Sequence, residues 1–213
     1  MSSCYNIPAE NICVEQEIKR SRFITDIAQV ENKAAALTFI QKIQQREPDA
    51  RHHCWAYIAG HPVESIQRGS SDAGEPQGTA GKPMLNVLQH KNIGEIVVVV
   101  SRYFGGIKLG AGGLVRAYSS SVQQAIDALP LCQRIITIPA VLHTPFALEN
   151  NMRHLLESLS ISIKNSDYLD HVQLHIDIEQ GTESALKATI RNKSNGKASL
   201  KYAMAQKGSL IAK

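Results

Sequence analysis

The sequence predicts an α+β fold in two domains, an irregular glycine-rich one followed by a regular one of βαββαβ order. Three observations carry this. Eleven of the 14 glycines fall between Gly60 and Gly113; ordered glycine costs backbone entropy and marks left-handed dihedrals or close backbone approach. Inside that stretch Ile96-Val97-Val98-Val99-Val100 is an unbroken β-branched run, the pattern of a strand buried on both faces. Beyond Pro130 the glycines thin out, and helical and alternating periods succeed one another regularly.

Taken in order, residues 12–30 read as two extended segments, with Ile12, Val14 and Ile18 alternating and Phe23, Ile24, Ile27 and Val30 following. Residues 32–46 read as a helix with Ala35, Phe39, Ile43 and Arg46 on one face, ended by Pro48. His53 to Ala59 is a strand, closed by Gly60 and Pro62. A polar loop follows over 60–81, then a short helix from Pro83 to about Lys91 with Met84, Val87 and Leu88 inward. Glu95 to Arg102 is the buried strand and Tyr103 to Gly113 a second glycine-rich loop. A helix from Gly113 to Leu129 repeats Leu114, Tyr118, Val122 and Ala125 at helical spacing until Pro130 stops it. In the second half, strands are expected at Ile135–Val141, Ile161–Ile163, Val172–Ile178 and roughly Ala198–Ala205, and helices at Ala147–Ser158 and Thr182–Asn192. That order is the ferredoxin-like split-βαβ unit. The expected domains are residues 1–132 and 133–213.

Composition narrows the function class. A chain of 213 residues with 43% hydrophobic and 20% charged residues is that of an ordinary globular protein with room for two domains. No apolar run approaches the ~20 residues of a membrane span. Met1-Ser2-Ser3-Cys4-Tyr5 lacks the character of a signal peptide, so a cytoplasmic location with no membrane partner is expected. Cys4, Cys13, Cys54 and Cys132 have no zinc-ligand spacing and read as free thiols, most of them buried. The net charge of +4 permits an acidic partner such as RNA without demanding one.

Candidate chemistry lies in the two loops. Gly105, Gly106, Lys108, Gly110, Gly112 and Gly113 lie between a buried strand and a helix, where free amides and the helix dipole favour an anion, and Arg116 follows one turn later. Neither a dinucleotide fingerprint nor a P-loop is complete, since Val115 stands where a third glycine would and no Gly-Lys-Ser/Thr occurs. An anion site and a tight turn that lets the helix dock closely both fit. Asp72 and Glu75 in the first loop could act as acid and base or lie beside a metal, and Lys82 could join the anion-binding residues; alternatively the carboxylates cap their own turns and Lys82 is solvated. His52 and His53, on a strand, point to opposite faces, and no metal or cofactor site is expected. Arg22, next to Lys19 and Arg20, together with Arg51 and Arg102 could extend a phosphate-binding surface or form a solvated charged edge.

The stretch Asp72-Ala73-Gly74-Glu75-Pro76-Gln77-Gly78-Thr79-Ala80-Gly81-Lys82-Pro83, followed by the block from Val99 to Tyr118, resembles the IMPACT family (uncharacterised protein family 29), and its bacterial members most. Lys19 to Phe23 and Arg51 to Cys54 also look like family positions, so the resemblance spans essentially the whole chain. The family usually carries an aspartate where this chain has Ala73, which removes one member of a carboxylate pair. The resemblance implies a ribosomal protein S5 domain 2-like domain first and a ferredoxin-like domain second, the pair of folds that ends translocating elongation factors. Eukaryotic relatives dampen a stress kinase that phosphorylates a translation initiation factor by competing for the kinase's activator, and they carry an extra N-terminal interaction domain; that domain, and with it the eukaryotic partner, is not expected in this chain. The expectation is a non-enzymatic binding protein acting in or near translation, with RNA, the ribosome or a translation-associated protein as partner. The alternative is an enzyme or phosphate-binding protein that uses the loop at 105–113.

Overall fold

The computed structural model describes residues 4–65, 67–202 and the backbone of 210–212, and it divides the chain into two units, Tyr5–Gln133 and Arg134 onward together with Cys4. It is a mixed α and β fold with two antiparallel sheets. The described chain opens with β1 (Cys4–Pro8), which is not a strand of the first unit's five-stranded sheet; that sheet begins with β2 (Ile12–Ile18) and β3 (Ser21–Gln29). The last two pair from Ile12 opposite Ile27 to Ile18 opposite Ser21. Lys19 and Arg20 make the tight turn between them at φ 48° and 63°, the two positive dihedrals that a type I′ hairpin demands.

Helix α1 (Lys33–Arg46) is capped by Asn32, whose side chain accepts from the Ala35 N–H. Its buried stripe is Ala36, Ile40 and Ile43. That stripe is rotated one residue from the expected face, which leaves Ala35 and Phe39 at the flank and Arg46 reaching the buried Asp26 at 2.5 Å.

Next come β4 (His52–Ile58), β5 (Arg68–Ser71), α2 (Gly81–His90), β6 (Ile96–Tyr103) and α3 (Ala111–Ala128). The sheet runs β2-β3-β6-β4-β5. β5 corrects the expectation of one continuous loop over 60–81. Arg68-Gly69-Ser70-Ser71 has no apolar alternation because it is an edge strand, held by pairing with β4 and lying with Gly69 against Tyr57. The two glycine-flanked helices also begin earlier than expected, at Gly81 and Ala111.

β6 sits at the centre of the sheet and is buried from Ile96 to Arg102. Its alternate residues serve two cores. Ile96, Val98 and Val100 pack with Met84 and Leu88 of α2 and Leu114, Tyr118 and Val122 of α3. Val97 and Val99 pack with the α1 stripe on the other face. The β-branched run is thus explained by helices on both faces of an antiparallel sheet.

The second unit follows β7 (Leu131–Thr144) with a 3₁₀ turn at Phe146–Leu148, α4 (Glu149–Ser158), β8 (Ile163–Tyr168), β9 (Val172–Glu179), α5 (Glu183–Lys193), β10 (Ser199–Tyr202) and β11 (Leu210–Ala212). Its strands lie in the order β10-β7-β9-β8, all neighbours antiparallel, and β11 pairs with Arg134–Ile136 of β7. Ala140, Leu142, Val172, Leu174 and Ile176 form one face against Met152 and Leu156 of α4 and Leu186 and Ile190 of α5. The strand expected at 161–163 starts only at Ile163 and runs on to Tyr168. Of the strand expected over 198–205, residues 203–205 lie outside the described residues. Among the described residues, no helix is long and apolar enough to cross a membrane.

Candidate functional site

Four segments of the first unit meet around a cleft of about 370 Å³. The start of β4 brings Arg51 and His52, and the loop before α2 brings Glu75 and Pro76. The end of β6 brings Arg102 and Phe104, and the loop into α3 brings Lys108, Leu109 and Gly110, with Ala111 and Leu114 on α3 itself. The strand register explains the first meeting, because His52 lies opposite Arg102. The His52 ring is oriented by donating its Nδ1–H to the Ala73 carbonyl at 3.0 Å.

The floor is a buried ion pair. Arg102 Nη1 lies 2.6 Å from Glu75 Oε1, and both side chains are more than nine-tenths buried. Tyr118 donates its hydroxyl to the same carboxylate oxygen at 2.8 Å. The Arg102 guanidinium lies 5.6 Å from the Phe23 ring centre and 5.7 Å from that of Phe104, within cation–π range. Its Nε is buried and has no hydrogen-bond partner. Burial first, and then Cys54 and Glu75, push the Tyr118 phenol far up, so it stays a donor. Burial likewise pushes the Cys54 thiol up to about 12, against the opposing pull of Tyr118 and Arg102. Cys54 donates its S–H to the Asp72 carbonyl at 2.9 Å and is inert as a nucleophile at neutral pH.

One wall is the N-terminus of α3. Gly110 is its N-cap at φ 73° and supplies no side-chain cap. The Leu114 N–H is the one that returns to the Gly110 carbonyl, so the amides of Ala111, Gly112 and Gly113 have no partner within the helix. Unpaired amides and the helix dipole together favour negative charge at this end of α3.

The predicted residues separate into three groups. Arg51, Glu75, Arg102, Lys108 and Gly110 line the cleft. Gly112 and Gly113 belong to the first turn of α3 beside it. The others do not line it. Arg22 is held by Glu15 in an exposed pair at 2.8 Å and lies over Tyr103, Lys82 is exposed on α2, and Arg116 is exposed on α3 with its guanidinium turned back beside Gly112 of the first turn. Gly105 has a packing role, since a Cβ there would stand 1.9 Å from the Arg20 carbonyl oxygen. Gly106, at φ 84°, turns the loop.

Asp72 is spent on the backbone, accepting from the N–H groups of Gly78, Ala80 and Gly81 at 2.8, 3.0 and 2.8 Å. Burial raises its carboxyl, but those three donors outweigh it and hold the group below its ordinary range. Glu75, expected either as an acid or base or as a turn cap, is instead the anionic half of the buried pair. Among the described residues, no three His, Cys, Asp or Glu side chains are grouped to hold a metal. His53 turns to the other side of β4, against Ser101 Oγ at 3.0 Å, and burial lowers its ring below the ordinary value.

Sequence reasoning missed His52, Phe104 and Leu109 as lining residues. The register that sets His52 beside Arg102 was the one signal available for the histidine.

Residues 19–126 match the family model described as the Impact N-terminal domain. Residues 142–197 match a domain of unknown function, DUF1949. An IMPACT family member from Haemophilus influenzae is 42% identical over 193 residues, covering 91% of this chain and 94% of the relative. The IMPACT family member YigZ of Escherichia coli is 42% identical over 190 residues, covering 89% and 93%. A crystal structure described only as that of a hypothetical protein is similar at TM-score 0.67 and 39% identity, over 97% of this chain and all of the other.

Proposed function

This chain belongs to the IMPACT family, and on that premise we propose that it is a non-enzymatic module that grips the phosphates of RNA, free or in the ribosome, and works in or near translation. The observation that carries this is the convergence of Arg51, Arg102 and Lys108, from three separate segments, on the uncapped N-terminus of α3. Arg102 is balanced by Glu75. Arg51 and Lys108 are left, with the helix end, to meet a ligand's negative charge. Binding is favoured over acid–base chemistry because both loop carboxylates are committed within the protein, Asp72 to three amides and Glu75 to Arg102 and Tyr118.

For the architecture, the reading is an S5 domain 2-like domain over 1–132 and a ferredoxin-like domain over 133–213. The strand order β10-β7-β9-β8 with α4 and α5 on one face supports the second.

Binding to a single-stranded RNA, measured across a salt series, tests the function. Each phosphate contact contributes about 0.7 to the slope of log K against log salt for a single strand. An Arg51→Ala, Lys108→Ala double variant is therefore expected to flatten the slope by about 1.4. A Lys33→Ala, Lys82→Ala variant, which removes the same charge at two exposed positions that do not line the cleft, is expected to change it less. Equal losses in the two variants, or no binding at low salt, would overturn the reading.

A further inference from the structure

We infer that the cleft takes one nucleoside 5′-monophosphate unit, with its end phosphate at the α3 N-terminus and its base on Phe104. The inference rests on the phosphate-binding reading above and specifies its ligand. Phe104 lines the cleft and is 48% exposed, a large apolar surface left open beside a cationic site. Flat bases stack on such rings in single-strand recognition, and the Arg102 guanidinium over the same ring adds positive charge to the platform. The cleft, at about 370 Å³, lies near the small end of the roughly 300–1,000 Å³ that ligand pockets span, suited to one nucleotide rather than a run of them.

Charge selects the end phosphate. With Arg102 cancelled by Glu75, the two remaining cations and the helix end match a dianion, whereas a diester within a chain brings a single charge. Two features of the floor also await a ligand. Arg102 Nε is a buried donor without an acceptor, a condition that native structures rarely leave unanswered. His52, its Nδ1–H given to Ala73, has Nε2 as the one polar atom to offer a ribose hydroxyl.

The test uses the full chain and a labelled hexanucleotide made in 5′-phosphate and 5′-hydroxyl forms, with AMP, adenosine and inorganic phosphate as competitors. The 5′-phosphate form is expected to bind at least about tenfold tighter, and AMP to compete where equal concentrations of adenosine or phosphate do not. Phe104→Leu is expected to weaken AMP about tenfold, within the range for loss of one stacked base, and to leave competition by inorganic phosphate unchanged. Phe104→Tyr, which keeps the ring, is expected to restore AMP binding. If AMP alone binds as tightly as the oligonucleotide, the occupant is the free mononucleotide; if the oligonucleotide is tighter, it is a chain end. Equal binding of the two oligonucleotide forms with a salt dependence that Arg51 and Lys108 control overturns this inference and leaves the broader reading standing. Absence of all binding overturns both.

Discussion

Arg102 shows how one side chain is made to serve two ends. A buried guanidinium is costly unless paired, and here Glu75 is held ready for it by the Tyr118 hydroxyl, beneath the Phe23 and Phe104 rings. Breaking one side of such a pair strands the other charge. Glu75→Gln is therefore expected to cost about 3–5 kcal/mol of stability. Replacing both partners by apolar residues of similar volume, Glu75→Leu with Arg102→Met, is expected to recover most of that loss. Trp55, the single tryptophan, lies on β4 of the same unit, so urea unfolding followed by its fluorescence reads the right transition. A Glu75→Gln variant as stable as the parent would show that the ion pair carries no weight in the fold.

At the scale of the element, α2 begins without a capping side chain, because Ala80 stands at its N-cap. Asp72 fills that role from eight residues upstream by accepting from the Ala80 and Gly81 amides, with Gly78 as a third donor. Loss of an N-cap acceptor costs about 1 kcal/mol, and Asp72→Ala is expected to lower stability by about 1–2 kcal/mol, since three donors are orphaned together. The pH dependence has a definite sign. The carboxyl is depressed in the folded state, so its contribution is fully present above the ordinary carboxylate value of about 3.9 and fades as pH falls below it. The gap between parent and variant is expected to be constant from pH 5 to 8 and to close on acidification; a gap that persists at pH 2 would assign the loss to packing instead. Elements such as α3 and β9 were legible in the sequence because one-sided burial writes its period directly into residue choice, and β6 because burial on both faces writes an unbroken β-branched run. β5 was not, since pairing with β4 holds it without any apolar pattern. The Lys19-Arg20 turn carries no glycine to announce it. The cleft was half legible for a related reason. Lys108 and Lys82, or Arg51 and Arg22, look alike in the chain, and only the meeting of β4, β6 and α3 separates cleft residues from the solvated ones. Gly105 was misleading because its partner, the Arg20 carbonyl, is 85 positions away.

Across the whole chain, the two units keep separate apolar cores, one set built from Phe23 to Leu129 and the other from Ala140 to Leu200. Within the first unit the cleft stands at the end of β6, the strand paired on both sides by β3 and β4 and covered on both faces by helices. The anion site we propose is thereby anchored on the least deformable part of its unit. Hydrogen exchange on the full chain tests that placement, since amides of core strands open only with their whole cooperative unit while edges open locally. The amides of Val97 to Val100 are expected to be the slowest of the first unit, those of β3 and β4 intermediate, and those of the edge strands β2 and β5 the fastest of the sheet. In the second unit the same logic puts β9, flanked by β7 and β8, among the slowest. If β5 were as protected as β6, edge and centre would open together, and the argument that β6 holds the cleft rigid would fail.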